Sequence, residues 1–150
     1  MTAGTLRRIG FAYNPTNDAA VELRERAAGW AAMRGLDHWD SAAADLEVLR
    51  RELPGTDVLV VFGGDGTFLR AARAVADVDV PLLGINVGKV GFLSNVEAGD
   101  LLRVLERLQA GQYTLEHRMA LEGRIFHAGA DGPEVHVALN DIVVARGSLA

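Results

Sequence analysis

The segment Gly63-Gly64-Asp65-Gly66-Thr67 sets one carboxylate among three glycines, directly after the apolar run Val58-Leu59-Val60-Val61-Phe62. Glycine lets the backbone bend sharply and come close to a ligand, because no Cβ blocks the approach. A helix beginning near Thr67 adds unpaired N–H groups and a partial positive charge at its amino end, a suitable seat for phosphate oxygens. A carboxylate among donors gathered for an anion would repel phosphate unless a metal or a transferable proton gives it a task. Beside a phosphate-binding turn, Asp65 is placed to accept a proton from an attacking hydroxyl or to orient it. The plain alternative is that Asp65 caps its helix with a side-chain oxygen.

The elements that must position this acid alternate along the chain. Leu6 to Tyr13 reads as a first strand, and Asn14-Pro15-Thr16-Asn17-Asp18 supplies turn and capping chemistry for an alanine-rich helix that reaches about Arg34 and closes at Gly35. A short extended piece around His38-Trp39 precedes Leu46, Leu49 and Leu53 at helical spacing, and Pro54-Gly55 ends that turn. Asp57 to Phe62 is aliphatic on both sides, as a strand covered by helices on both faces must be. Thr67 to Ala76 reads as the next helix, Val80 to Val87 as another buried strand, and Leu101 to Leu108 as an amphipathic helix ending near Gly111. This alternation predicts an α/β fold: an open, mostly parallel, Rossmann-like sheet with helices on both faces. In such sheets ligands bind beyond the carboxyl ends of the strands, where the loop after Phe62 falls.

After Gln112 the period changes to two. Leu115, His117, Met119, Leu121 and Ile125 alternate with polar or small residues, and the turn Gly129-Ala130-Asp131-Gly132-Pro133 leads into Val135, Val137 and Leu139. We therefore expect an α/β domain over residues 1–112, carrying the glycine bend, and the start of a β-rich, truncated second domain over 113–150; the plainer alternative is a small antiparallel appendage on one domain. A hairpin left with an open edge favours self-association. His127 and His136 flank the turn, but two histidines without an acid at ligand spacing make a surface pair rather than a metal site.

Composition narrows the function classes. A net charge of −5 offers no broad basic surface for nucleic acid, and the lack of cysteine removes disulfides, thiolate catalysis and Cys-based zinc together. No apolar run reaches the roughly 18 residues of a spanning helix, and MTAGTLRRIG lacks the apolar region of a signal peptide, so the expectation is a cytoplasmic protein with no membrane partner. The Gly-Lys-Ser/Thr of a P-loop is missing, and Leu69 stands where a dinucleotide fingerprint has its third glycine.

Gly63 to Thr67 resembles the GGDGT signature shared by NAD kinases, the phosphofructokinase-like superfamily around them and diacylglycerol-type lipid kinases. Phe68-Leu69, then Gly84-Ile85-Asn86-Val87-Gly88-Lys89-Val90-Gly91-Phe92-Leu93, is similar to the G-I-N-x-G-x-x-G-F-L segment of NAD kinases. Glu116-His117-Arg118-Met119 resembles the opening of that family's β-rich part, and Asn140-Asp141 stands where an Asn-Glu pair is usual.

The resemblance implies transfer of the ATP γ-phosphate to the 2′-hydroxyl of the adenosine ribose of NAD, with Mg²⁺ or another divalent cation accompanying ATP, and a homo-oligomer in the full-length form. It gives Asp65 the part of proton acceptor, brings the Gly66 backbone to the dinucleotide, and adds Arg70, which falls four residues after Gly66 on the same helical face. Asn140 and Asp141 match a pair that binds ribose and neighbouring groups; Asp141 is one methylene shorter than the usual Glu. Against these stand an exposed arginine without a ligand and a polar strand break. Phe92 either lines a base pocket or packs in the core, and Lys89 stays outside the site. Two other functions remain open, a nucleotide-binding module without turnover and a lipid kinase.

Overall fold

The computed structural model describes residues 6–89, 91–94 and 96–144. Val90 of the Gly84–Leu93 segment, and residues 145–150 of the expected second domain, lie outside them. The chain falls into two compact units that part between Leu115 and Glu116.

In the first unit, strands and helices follow one another as β1 (Arg8–Tyr13), α1 (Asp18–Met33), β2 (Asp37–Ala42), α2 (Leu46–Glu52), β3 (Val58–Gly63), α3 (Asp65–Val75), β4 (Leu82–Asn86), β5 (Val96–Glu97) and α4 (Leu101–Gln109), with one 3₁₀ turn, Ala98–Asp100, before the last helix. The sheet order is β2-β1-β3-β4-β5 and every pairing is parallel. The expected α/β class is therefore the observed one.

Helix α1 starts where Asn17 accepts the N–H of Ala20 in its side chain, and it ends in a turn at Gly35, whose φ of 66° is the left-handed conformation that glycine takes without strain. Asp45 caps α2 in the same way, through Val48 N–H. Helix α1 packs against α4, and α2 against α3, so two helix layers form. Strand β3 serves both. Val58, Val60 and Phe62 enter the core built around α1 and α4 with Phe11, Ile9, Trp30, Leu101 and Leu105, while the alternate residues Leu59 and Val61 are equally buried on the other side. Side chains of this size each gain about 1.5–3 kcal/mol on full burial, which is what fixes β3 as the central strand.

The second unit holds an antiparallel hairpin, β6 (Leu121–Ile125) and β7 (Glu134–Ala138), in register from Leu121 opposite Ala138 to Ile125 opposite Glu134. Here three expectations change. The alternation from Leu115 to Met119 does not make a strand; β6 begins only at Leu121. Chain beyond Ala138 leaves the register, and Ile142 instead folds over Gly123, where its Cδ1 is 2.7 Å from the place a Cβ would take. Nor is the alternating face half-buried, since Leu121, Ile125, Val135 and Val137 are all exposed.

Candidate functional site

The β3–α3 junction lies at the carboxyl end of the sheet, as expected, but α3 begins two residues earlier than its composition suggests. Gly64 is the N-cap, and the Phe68 N–H closes the first turn on the Gly64 carbonyl at 3.0 Å. Asp65 is thus the first helical residue rather than a loop residue. A helix leaves its first N–H groups without internal partners, so the backbone donors of Asp65, Gly66 and Thr67 head this end.

The glycines of the bend differ in why they are glycines. A Cβ on Gly63 would sit 2.5 Å from the Thr67 hydroxyl oxygen, so that position is demanded by the tight turn of the buried Thr67 onto the strand end. At Gly64 and Gly66 a Cβ would meet no heavy atom within 4 Å. Packing does not require glycine at either position. What their lack of a side chain provides is free access to the backbone, with Gly66 exposed.

Asp65 is half-buried, and its carboxylate bonds outside its own helix. Phe92 N–H donates to Oδ2 at 3.0 Å and Leu93 N–H donates to Oδ1 at 3.1 Å. Helix capping, the plain alternative, is not what this carboxylate does. Among the described residues no lysine, arginine or histidine nitrogen lies within 4.0 Å of it, so its charge is met by backbone dipoles alone.

The loop that supplies these donors runs from the end of β4. Asn86 is buried there; its Nδ2 donates to the Gly88 carbonyl at 3.4 Å, and its Oδ1 is buried without a partner. Gly88 has φ 106°, a conformation closed to most side chains. Phe92 is 92% exposed, so it does not pack in the core.

Arg70 is exposed on α3 and lines a shallow cleft of about 160 Å³ with Arg73, Ala43, Ala44 and Leu46. Neither arginine has a carboxylate within 4.0 Å among the described residues. The first unit therefore carries Asp65, Gly66 and Arg70 on one helix, joined by a loop that side-chain types alone did not reveal. Asn140 and Asp141 belong to the second unit, exposed in the chain that follows β7. The hairpin histidines are not a lone pair: Glu134 takes His127 Nε2 at 3.1 Å on one oxygen and His136 Nε2 at 2.9 Å on the other. His127 first, through its hydrogen bond, and then His136 hold the Glu134 carboxyl below its ordinary value of 4.5. Among the described residues no group of three His, Cys, Asp or Glu is arranged to hold a metal ion.

Residues 35–113, more than half of the chain, match the family described as ATP-NAD kinase N-terminal domain. The chain is 38% identical over 146 residues to the NAD kinase of Heliobacterium modesticaldum, an alignment that covers 93% of this chain and 51% of that protein. A shorter stretch of 94 residues is 48% identical to the NAD kinase of Symbiobacterium thermophilum, covering 63% of this chain and 33% of the relative. The crystal structure of yeast NADH kinase complexed with NADH superimposes with a TM-score of 0.67 at 20% identity, over 91% of this chain and 48% of the other, a likeness of fold. The chain spans about half the length of the curated relatives that it matches from end to end.

Proposed function

Because the chain belongs to the NAD kinase family, we propose that it carries the acceptor-activating part of an NAD kinase, which moves the γ-phosphoryl group of ATP to the 2′-hydroxyl of the adenosine ribose of NAD. The observation that carries this reading is the Asp65 carboxylate, held by two backbone donors at the open end of the sheet beside a glycine bend with accessible N–H groups.

Each Asp65 oxygen accepts one N–H and keeps further acceptor capacity, enough to take the hydrogen bond of a ribose hydroxyl. In the transfer, the 2′-oxygen forms its bond to the γ-phosphorus as the bridging P–O bond to ADP breaks, and the hydroxyl proton passes to Asp65. The transition state is loose, so the protein's main work is alignment and neutralisation of charge on the phosphoryl oxygens. The N–H groups at the start of α3 and the exposed Arg70 guanidinium are suited to that second task. Asn140 and Asp141, through amide and carboxylate, suit other ribose hydroxyls.

Mg²⁺ usually enters such sites bound to the phosphates themselves, with few protein ligands. Among the described residues no group of three His, Cys, Asp or Glu stands together to hold such an ion by side chains alone. The ion would supply charge neutralisation on the phosphates. Among the described residues no helix is long and apolar enough to cross a membrane.

The family match favours a dinucleotide over the lipid hydroxyl that GGDGT alone left open. One further reading has an observation behind it. A chain about half the length of its relatives can bind nucleotide without turning it over. Incubation of the protein with Mg-ATP and NAD, followed through an NADP-specific coupled dehydrogenase, separates the two. NADP formation supports the kinase; binding of NAD by calorimetry with no NADP supports the module; neither activity nor binding defeats both.

A further inference from the structure

The grip on Asp65 depends on a residue that makes no polar contact itself. A Cβ built on Gly91 would lie 2.2 Å from Asp65 Oδ1, 2.6 Å from Cγ and 2.9 Å from Oδ2, so its three nearest neighbours are all atoms of this one carboxylate. No side chain fits at position 91 while Asp65 keeps its present seat. The next two residues donate the N–H groups, one to each oxygen, and a pair of parallel donors fixes the plane of a carboxylate as well as its place.

The loop is itself held at both ends. Asn86 ties its beginning to the Gly88 carbonyl. At its far end Ser94 is 1% exposed and sits against β4, where a Cβ on Gly84 would come 2.7 Å from the Ser94 Oγ and 3.0 Å from the Phe68 ring. The donors at Phe92 and Leu93 are therefore presented by an anchored backbone, and Asp65 is the movable partner, free to turn about its own side-chain torsions.

We infer that Gly91 is a positioning residue: by leaving room for the Asp65 carboxylate against the Phe92 and Leu93 N–H groups, it sets the direction in which that carboxylate meets a ribose hydroxyl. The consequence for turnover rests on the kinase reading above; the seating of the carboxylate does not. A methyl group at position 91 would push out only the end of a short side chain and would leave the packed strands untouched. Gly91→Ala thus moves the acid without removing it and with little change in folding.

The test uses the full chain. In ¹H–¹⁵N spectra the Phe92 and Leu93 amides should shift with pH in step with the ¹³C signal of the Asp65 carboxyl. Both amide responses should vanish in Asp65→Asn and in Gly91→Ala, while Gly99→Ala, where a Cβ meets no atom within 4 Å, keeps them. Where the wild type forms NADP, Gly91→Ala should lower kcat by about 10²-fold, the cost of displacing a catalytic group by about 1 Å, with KM for ATP held. Added to Asp65→Asn it should bring no further loss, because both changes act on one group. Amides that ignore pH in the wild type, or that titrate normally in Gly91→Ala, overturn the inference, as does full kcat in a variant whose carboxylate has demonstrably moved. A wild type that makes no NADP defeats the kinase reading instead, and the amide responses still decide the role of Gly91.

Discussion

Two aspartates flank the central strand, and each accepts two consecutive backbone N–H groups, yet the two ends of the sheet they serve are built differently. Asp57, just before β3, takes Arg7 N–H at 2.7 Å and Arg8 N–H at 2.8 Å on one oxygen. Its neighbours are tied to one another by polar side chains. The Arg8 guanidinium reaches Asp37 at 2.8 Å, Glu52 at 2.9 Å and the Glu52 carbonyl at 2.7 Å, and Trp39 Nε1 donates to the Thr56 hydroxyl. Asp65, just after β3, has no cation within 4.0 Å among the described residues and stands among glycines. Both carboxylates are answered by backbone N–H groups and keep acceptor capacity; what differs is the setting, ion pairs tying Arg8 down near Asp57 and open glycine backbone at Gly64 and Gly66 beside Asp65, where a ligand can approach.

Exchanging the two acids for neutral residues is the sharpest way to break that contrast. Asp65→Asn should lower kcat by roughly 10²–10⁴-fold, and thermal unfolding should shift little. Asp57→Ala should do the reverse. Leaving the Arg7 and Arg8 N–H groups unanswered costs about 1–3 kcal/mol, which lowers Tm by roughly 2–4 °C for each kcal/mol in a chain of this size, while the folded fraction keeps its NAD affinity. Coupled-assay rates and calorimetric melting on the same two preparations suffice. An Asp65→Asn variant with ordinary turnover, or one that melts as early as Asp57→Ala, would erase the distinction between the ends.

How legible this was in the sequence depends on which atoms carry the information. The strand-helix order could be read because β3 is apolar on both faces, and because Asn17 and Gly35 advertise the limits of α1 through a side chain and a φ of 66°. Strand β5 could not, since two residues, Val96 and Glu97, leave no pattern. The start of α3 was misplaced for the opposite reason: its cap is Gly64, which has no side chain to announce it. Residues 115–119 show that alternation is necessary for a strand and not sufficient, because the partner chain beyond Ala138 turns over Gly123 instead of extending.

At the site the same rule holds. Asp65 stood out as a charge among glycines. Its donors lie 27 and 28 residues on, and backbone N–H groups have no signature in a sequence. Gly91 belonged to a quoted motif, but its service to Asp65 needed the third dimension. Arg70, Asn140 and Asp141 rest on family resemblance; helical spacing adds only that Arg70 shares a face with Gly66, and the structure sets it on a cleft with Ala43 and Leu46.

The smallest expected effect tests the amino end alone. The hydrogen bond from Arg51, and after it that from Arg8, holds the Glu52 carboxyl below its ordinary value of 4.5. Between that lowered value and 4.5 the unfolded chain binds more protons than the folded one, so stability rises with pH across this window. The contribution is complete above about pH 4.5 and is lost as pH falls through the folded value. Glu52→Gln removes it, so melting temperatures of wild type and variant should run parallel above that pH and converge below it. Exposed ion pairs are weak and screened by salt; the convergence should therefore fade as ionic strength rises, whereas the loss of turnover in Asp65→Asn should not. Equal acid slopes at low salt would mean that the Arg8–Glu52–Arg51 cluster follows the fold rather than supporting it.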